Sequence, residues 1–252
     1  MACILNFSMK IFLAGSGYHK LWINENFFDF YKLDSYHYIA KEEIKHINKY
    51  KLFMLDSGAF SYINGKNTNN VNWDEYIESY AEFINNHNIK LFMELDIDSV
   101  VGIKEVERLR NKLERLTNKQ CIPVWHKSRG KDYWLKMIKE YDYVAIGGIV
   151  TKEIKPSEYK YFHWFIRQAH KNNCKVHGLG FTNLKGIREY KFDSVDSTSW
   201  LSGNRFGAVH KFNGKTIEKI SKQPGQRVKA TEVAINNFRE WVKFQKYADR
   251  YL

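Results

Sequence analysis

The chain has 252 residues, 44% of them hydrophobic and 16% aromatic, with 3 prolines. That excludes a disordered composition and suits one domain with a substantial core. Its 40 basic and 28 acidic residues give a formal net charge of +12, which points to a polyanionic partner or, more blandly, to a lysine-rich solvated surface. The three cysteines, Cys3, Cys121 and Cys174, lie far apart and fit neither a disulfide framework nor a cysteine metal site. No apolar run is long enough to span a bilayer and the N-terminus lacks a signal pattern. A cytoplasmic protein with no membrane partner is expected, with residues 1–8 as an extension ahead of the first strand.

Short apolar runs follow at regular intervals. KIFLAG at 10–15, LFMLD at 52–56, LFMELD at 91–96, IPVWH at 122–126, YVAIGG at 143–148, KVHGLG at 175–180 and FDSVDS at 192–197 read as parallel strands covered on both faces. RFGAVHKF at 205–212 is the candidate eighth. Helical spacing occurs at 73–87, 103–116, 155–173 (opened by Pro156) and 182–190 (capped by Thr182), and again over 231–252. Strand alternating with helix predicts a single (β/α)₈ TIM-type barrel domain over 1–252, closed by the C-terminal helix. Only SWLSGNR separates the seventh and eighth runs, so the last β/α unit is expected to be degenerate.

Polar residues collect where the runs end: Asp56 with Ser57 and Gly58, Asp96 and Asp98, His126, Gly147 and Gly148, His177 and Gly178, and Asp196. In such a barrel all strand C-termini open on one face, which carries the active site. Each also has a bland reading. Asp56 could cap a turn, His126 could be a satisfied histidine, and His177 could be a packing residue. Asp193, at the start of its strand, belongs on the stability side of the barrel. Asp196 stands out through the polar Ser197, Thr198 and Ser199 that follow it.

DSGAF at 56–60, ELDID at 94–98, VAIGG at 144–148, HGLG at 177–180 and DSTSW at 196–200 occur in one order. This series resembles the queuine/archaeosine tRNA-guanine transglycosylase superfamily, and most of all its short phage-borne members associated with 7-deazaguanine modification of DNA. The resemblance covers about residues 10–210. It implies a (β/α)₈ barrel that replaces guanine by a 7-deazaguanine base, with Asp56 as general acid/base and Asp196 as nucleophile. FDSV, an alternative register, would choose Asp193; the strand-end argument selects Asp196. The resemblance further implies contacts to the base from Asp96, His126, Gly147 and Gly148. Ser57, Gly58, Phe60, Asp98, His177 and Gly178 join them as candidate substrate-binding residues.

Lys127, Arg129, Lys131 and Arg205 are the candidate phosphate contacts. Trp125, Trp200 and Phe60 could stack on a base or belong to the core. The family's C-x-C-x-x-C…H zinc site has no counterpart after residue 200, so no metal or other cofactor is expected. That absence favours DNA over tRNA, with a free 7-deazaguanine base as co-substrate and, for a phage-encoded protein, the host cytoplasm as location. An N-glycoside hydrolase using the same two aspartates, a metal-dependent barrel enzyme and a non-catalytic nucleic-acid-binding barrel are the competing readings.

Overall fold

A computed structural model describes residues 8–59, 61, 71–202, 208–220 and 229–252. Eight strands form one parallel sheet: β1 (Lys10–Ala14), β2 (Tyr31–Ser35), β3 (Leu52–Asp56), β4 (Leu91–Phe92), β5 (Val124–Trp125), β6 (Tyr143–Ile146), β7 (Lys175–Gly178) and β8 (Ser194–Ser197). Their order is β4-β3-β2-β1-β8-β7-β6-β5. The two ends meet through a parallel bridge between Met93 and Ile122. There the Ile122 amide donates to the Phe92 carbonyl at 2.8 Å and the Glu94 amide to the Ile122 carbonyl at 3.1 Å. The sheet is thus the curled wall of a TIM-type barrel, as expected.

The expected eighth strand is corrected. The described part of RFGAVHKF forms β9 (Val209–Phe212), which pairs antiparallel with β10 (Ile217–Ile220) outside the barrel. The barrel strand missed in the sequence is β2, whose YKLDS breaks the apolar pattern. Its Lys32 and Asp34 are buried, at 0% and 1% exposure, and their side chains pair at 2.9 Å. The Lys32 ammonium also donates to the carbonyls of Gly15 and Leu33 and lies 3.7 Å from Glu43. A charged residue reads as surface in sequence, yet it is tolerated inside once its charge is matched and its donors are filled.

The helices are α1 (Lys20–Ile23), α2 (Lys41–Ile44), α3 (Trp73–Asn86), α4 (Asp98–Val101), α5 (Ile103–Thr117), α6 (Gly130–Glu140), α7 (Phe162–Lys171), α8 (Leu184–Glu189) and α9 (Ala230–Tyr251). The expected helix at 155–173 divides into a 3₁₀ turn, Pro156–Tyr161, and α7. Asn183, rather than Thr182, caps α8 by accepting the Gly186 amide at 2.9 Å.

Strand parity separates two apolar layers. Phe12, Tyr31, Leu33, Met54, Met93, Ile122, Val124 and Ala145 fill the barrel, whereas Ile11, Leu13, Phe53, Leu55, Phe92, Val144, Val176 and Val195 face the helices. Helices α1 and α2 are too short to cover β1 and β2. Aromatic rings fill that place: Trp22 stacks on Phe238 of α9 and meets Trp200 and Phe30 edge-on. Helix α9 is also fastened by hydrogen bonds. The Gln245 side chain donates to the carbonyls of Ile11 and Tyr31 and accepts the Tyr31 amide at 2.9 Å, bridging β1 and β2. Asn237 likewise accepts the His210 amide and donates to Ala208 and Trp200. The last β/α unit is degenerate in this sense, since a hairpin intervenes between β8 and its helix. Among the described residues no helix is long and apolar enough to cross a membrane.

Candidate active site

A pocket of about 620 Å³ opens at the strand C-termini. Asp56 enters it from β3, Asp96 from beyond β4, His126 from the end of β5, Gly148 from beyond β6 and Asp196 from β8. Strand ends distant in sequence therefore converge, because every parallel strand presents its C-terminus to the same face. Asp34, Ser35 and Ser61 add polar groups, and the exposed Tyr38 and Val150 add apolar surface. None of these five was singled out in the sequence. A second pocket of about 630 Å³ shares Asp96, His126 and Thr151 and extends to Asp98, Arg129 and Glu153.

The carboxylates are held differently. Burial, reinforced by the negative charges of Asp96 and Asp196, pushes Asp56 up to about 7, against the pull of the Gly58 amide. That amide reaches Asp56 Oδ2 at 3.3 Å because the chain turns sharply at Gly58. Gly58 has φ +77°, and a Cβ there would lie 2.8 Å from His37 Cβ, so only glycine fits without strain. Asp196, 7% exposed, takes the Gly180 amide at 2.5 Å and His177 Nε2 at 3.2 Å, both on Oδ1. Asp193 lies at the other end of β8, where its carboxylate accepts the Val176 amide and meets His170. The two register candidates therefore sit at opposite ends of one strand, with only Asp196 in the pocket.

His126 lies between two acids, with Nε2 3.5 Å from Asp96 and Nδ1 3.2 Å from Glu153. Burial disfavours its charged ring, but the hydrogen bond and charge of Asp96 outweigh burial and raise its pKa. Gly147 does not line either pocket. It makes room for that ring, since a Cβ at Gly147 would lie 2.8 Å from both His126 Cε1 and Val124 Cγ1.

Several expected contacts are placed elsewhere. Ser57 is fully buried; its carbonyl accepts from Tyr76 and its Oγ from the Ala59 amide. Gly58 shapes the turn without lining the pocket. Gly178 packs close to Phe181 and Phe192. His177 is fully buried inside the barrel, below Asp196. Asp98 faces the second pocket and pairs with Arg129 Nε at 2.9 Å. Trp125 packs on Phe165 and Trp134, and Trp200 donates to the Ala14 carbonyl within the core. Phe60 lies outside the described residues, as does Arg205.

Arg129 lines the second pocket but is committed to two acids. Its side chain is 2% exposed and joins Glu94 at 3.0 Å as well as Asp98. Glu94 is fully buried, and burial raises its carboxyl above the ordinary range against the pull of Arg129 and Arg110. The sequence motif ELDID contained this residue, but its partners come from α5 and the turn before α6. Lys127 is exposed beside Glu158 at 2.6 Å, and Lys131 lies over the Trp164 ring at 5.4 Å. Among the described residues no three His, Cys, Asp or Glu side chains converge to hold a metal ion.

No family model matches the chain, and no curated protein sequence does. Solved structures do resemble it. A fructose-1,6-bisphosphate aldolase from Coccidioides immitis, described as putative, superposes with a TM-score of 0.50 at 9% identity, over 96% of this chain and 87% of that one. The carboxyl transferase domain of Rhizobium etli pyruvate carboxylase, solved with pyruvate, gives 0.51 at 12% identity, over 97% of this chain and 49% of that one. At such identities the likeness establishes the barrel fold alone.

Proposed function

We propose that the chain is a base-exchange glycosyltransferase that replaces guanine in a nucleic acid, DNA in preference to tRNA, by a 7-deazaguanine base. The observation that carries this reading is the pairing of two aspartates in one pocket: Asp56, proton-bearing near neutrality, and Asp196, with both of its donors on a single oxygen. Asp196 Oδ2 attacks C1′ of the target nucleotide, forming a C1′–O bond as the C1′–N9 bond to guanine breaks. The electron pair leaves with guanine, which takes a proton from the Asp56 carboxylic acid. The incoming deazaguanine then gives its N9 proton to Asp56 and displaces Asp196 from C1′. Two inversions yield retention, and both aspartates return to their starting states.

A group titrating near 7 is suited to give a proton in one half-reaction and take it back in the other. Asp96 and His126 offer an acceptor and a donor to the base edge. Because C1′ is hidden in a duplex, the nucleotide enters flipped or single-stranded. Lys127 and Lys131 are the described candidates for phosphate contact.

The test is incorporation of labelled guanine or a labelled 7-deazaguanine into guanine-containing DNA and, in parallel, tRNA. The wild type is expected to incorporate label and Asp196→Asn to lack activity. Full activity in Asp196→Asn refutes the nucleophile. Release of free guanine without incorporation replaces exchange by hydrolysis.

A further inference from the structure

A chain of polar side chains runs through the barrel interior beneath the pocket. The Tyr143 hydroxyl lies 2.5 Å from Ser194 Oγ, Ser194 Oγ lies 2.5 Å from His177 Nδ1, and His177 Nε2 lies 3.2 Å from Asp196 Oδ1. These residues come from β6, β8 and β7, all from the inward-pointing rows, where the neighbouring side chains are apolar. His177 is 0% exposed, and the edge of its ring meets Phe12 at 6.1 Å. It does not line the pocket, so it does not touch a substrate there.

A buried polar row in an apolar barrel is costly unless every member is satisfied. One arrangement of protons satisfies this one. The Asp196 carboxylate can only accept, so His177 Nε2 carries the hydrogen and Nδ1 is the acceptor. Ser194 then donates to Nδ1 and accepts from the Tyr143 hydroxyl, which ends the row.

We infer that His177 is a positioning residue for Asp196, set in its Nε2–H tautomer by that carboxylate while Ser194, backed by Tyr143, fills Nδ1. The inference rests on the base-exchange reading and assigns this site a part that the sequence motifs do not mark. With the Gly180 amide, His177 pins Oδ1 and leaves Oδ2 turned to C1′. In the covalent intermediate Oδ1 is the ester carbonyl oxygen. When the incoming base displaces the aspartate, charge returns to Oδ1, and the same two donors receive it. No proton moves along the row.

Two measurements test it. Nitrogen-15 NMR of the imidazole rings of the wild type reads the tautomer without any need for turnover. The Nε2–H form is expected in the wild type, and an Nδ1–H ring there overturns the inference. Steady-state exchange of labelled guanine is the second. His177→Met is expected to lower kcat about tenfold or more, as loss of one hydrogen bond to a charged group implies, with KM for guanine unchanged. His177→Gln, which keeps a donor at the Nε2 position, is expected to recover most of kcat. A fall in kcat that Gln does not recover, or a rise in KM alone, overturns the positioning role. If His177→Met does not fold, the Gln variant and the tautomer decide. A wild type with the Nε2–H ring but no exchange refutes the base-exchange reading, and with it the role in turnover, while the tautomer assignment stands.

Discussion

Asp56→Asn separates the proton held by the folded chain from every other consequence of the site. The unfolded chain ionises this carboxyl near its ordinary 3.8, and the folded chain only at about 7. Because the folded-state pKa is raised, the bound proton stabilises the fold fully below pH 3.8, and that contribution is lost as pH rises through 7. At about 1.4 kcal/mol per pH unit, the loss between pH 5 and pH 8 is about 2.7 kcal/mol. The pocket leaves part of Asp56 in contact with water, which trims the figure to about 2 kcal/mol. Asparagine is a neutral isostere of the protonated acid and does not titrate. Urea unfolding of both proteins at pH 5 and pH 8 reads the effect as a difference of differences, from which other titrating groups cancel. The variant should gain on the wild type by about 2 kcal/mol on going from pH 5 to pH 8, while losing exchange activity. Parallel pH dependence of the two proteins refutes the claim that Asp56 is buried with its proton.

Other consequences are equally concrete. Guanine-for-guanine exchange should be fastest near pH 7, where Asp56 is half protonated; a rate still rising at pH 9 contradicts its double role. Gly147→Ala should cost about 1–3 kcal/mol by overpacking and weaken guanine binding, since the new methyl group meets His126 and Val124; thermal unfolding and a guanine titration measure the two. Arg129→Ala takes the ion-pair partner from Asp98 and one of two arginines from Glu94, which keeps Arg110, and should destabilise by about 1.5–3 kcal/mol; no loss in urea unfolding refutes the buried ion chain. Lys32→Met leaves Asp34 without its cation and should cost about 3–5 kcal/mol. Glu43, which burial pushes up to about 7, blunts that cost because it can hold a proton in place of the lost cation.

Most of the barrel was legible because parallel strands covered on both faces are near-continuously apolar, and most of the seven segments met that condition, FDSVDS at 192–197 being recognised by its place in the series. The eighth, β2, did not, because Lys32 and Asp34 neutralise one another under α2. A pairing across two residues of one strand leaves no mark in a search for apolar runs. The segment 205–212 carried the opposite error, since an alternating run serves a hairpin as well as a barrel strand. At the site, strand ends alone identified Asp56, Asp96, His126 and Asp196, because closure of a parallel barrel brings all C-termini together.

Which way a strand-end residue points is a matter of parity and turn geometry, and that was decided only in three dimensions. Ser57 turns into the core one residue after Asp56, and Arg129 bends inward to Glu94 and Asp98 instead of out to solvent. By itself the sequence determined the alternating plan, the face on which polar strand ends gather and which acids line it, for these depend on local pattern and on the common polarity of parallel strands. The tertiary structure decided the partners. Asp56 is pushed up to about 7 first by burial and then by the charges of Asp96 and Asp196 from other strands, and Asp196 is oriented because β7 and the turn after it place His177 and Gly180 against one of its oxygens. Long-range contacts of that kind are set by how the barrel closes, and no window of neighbouring residues contains them.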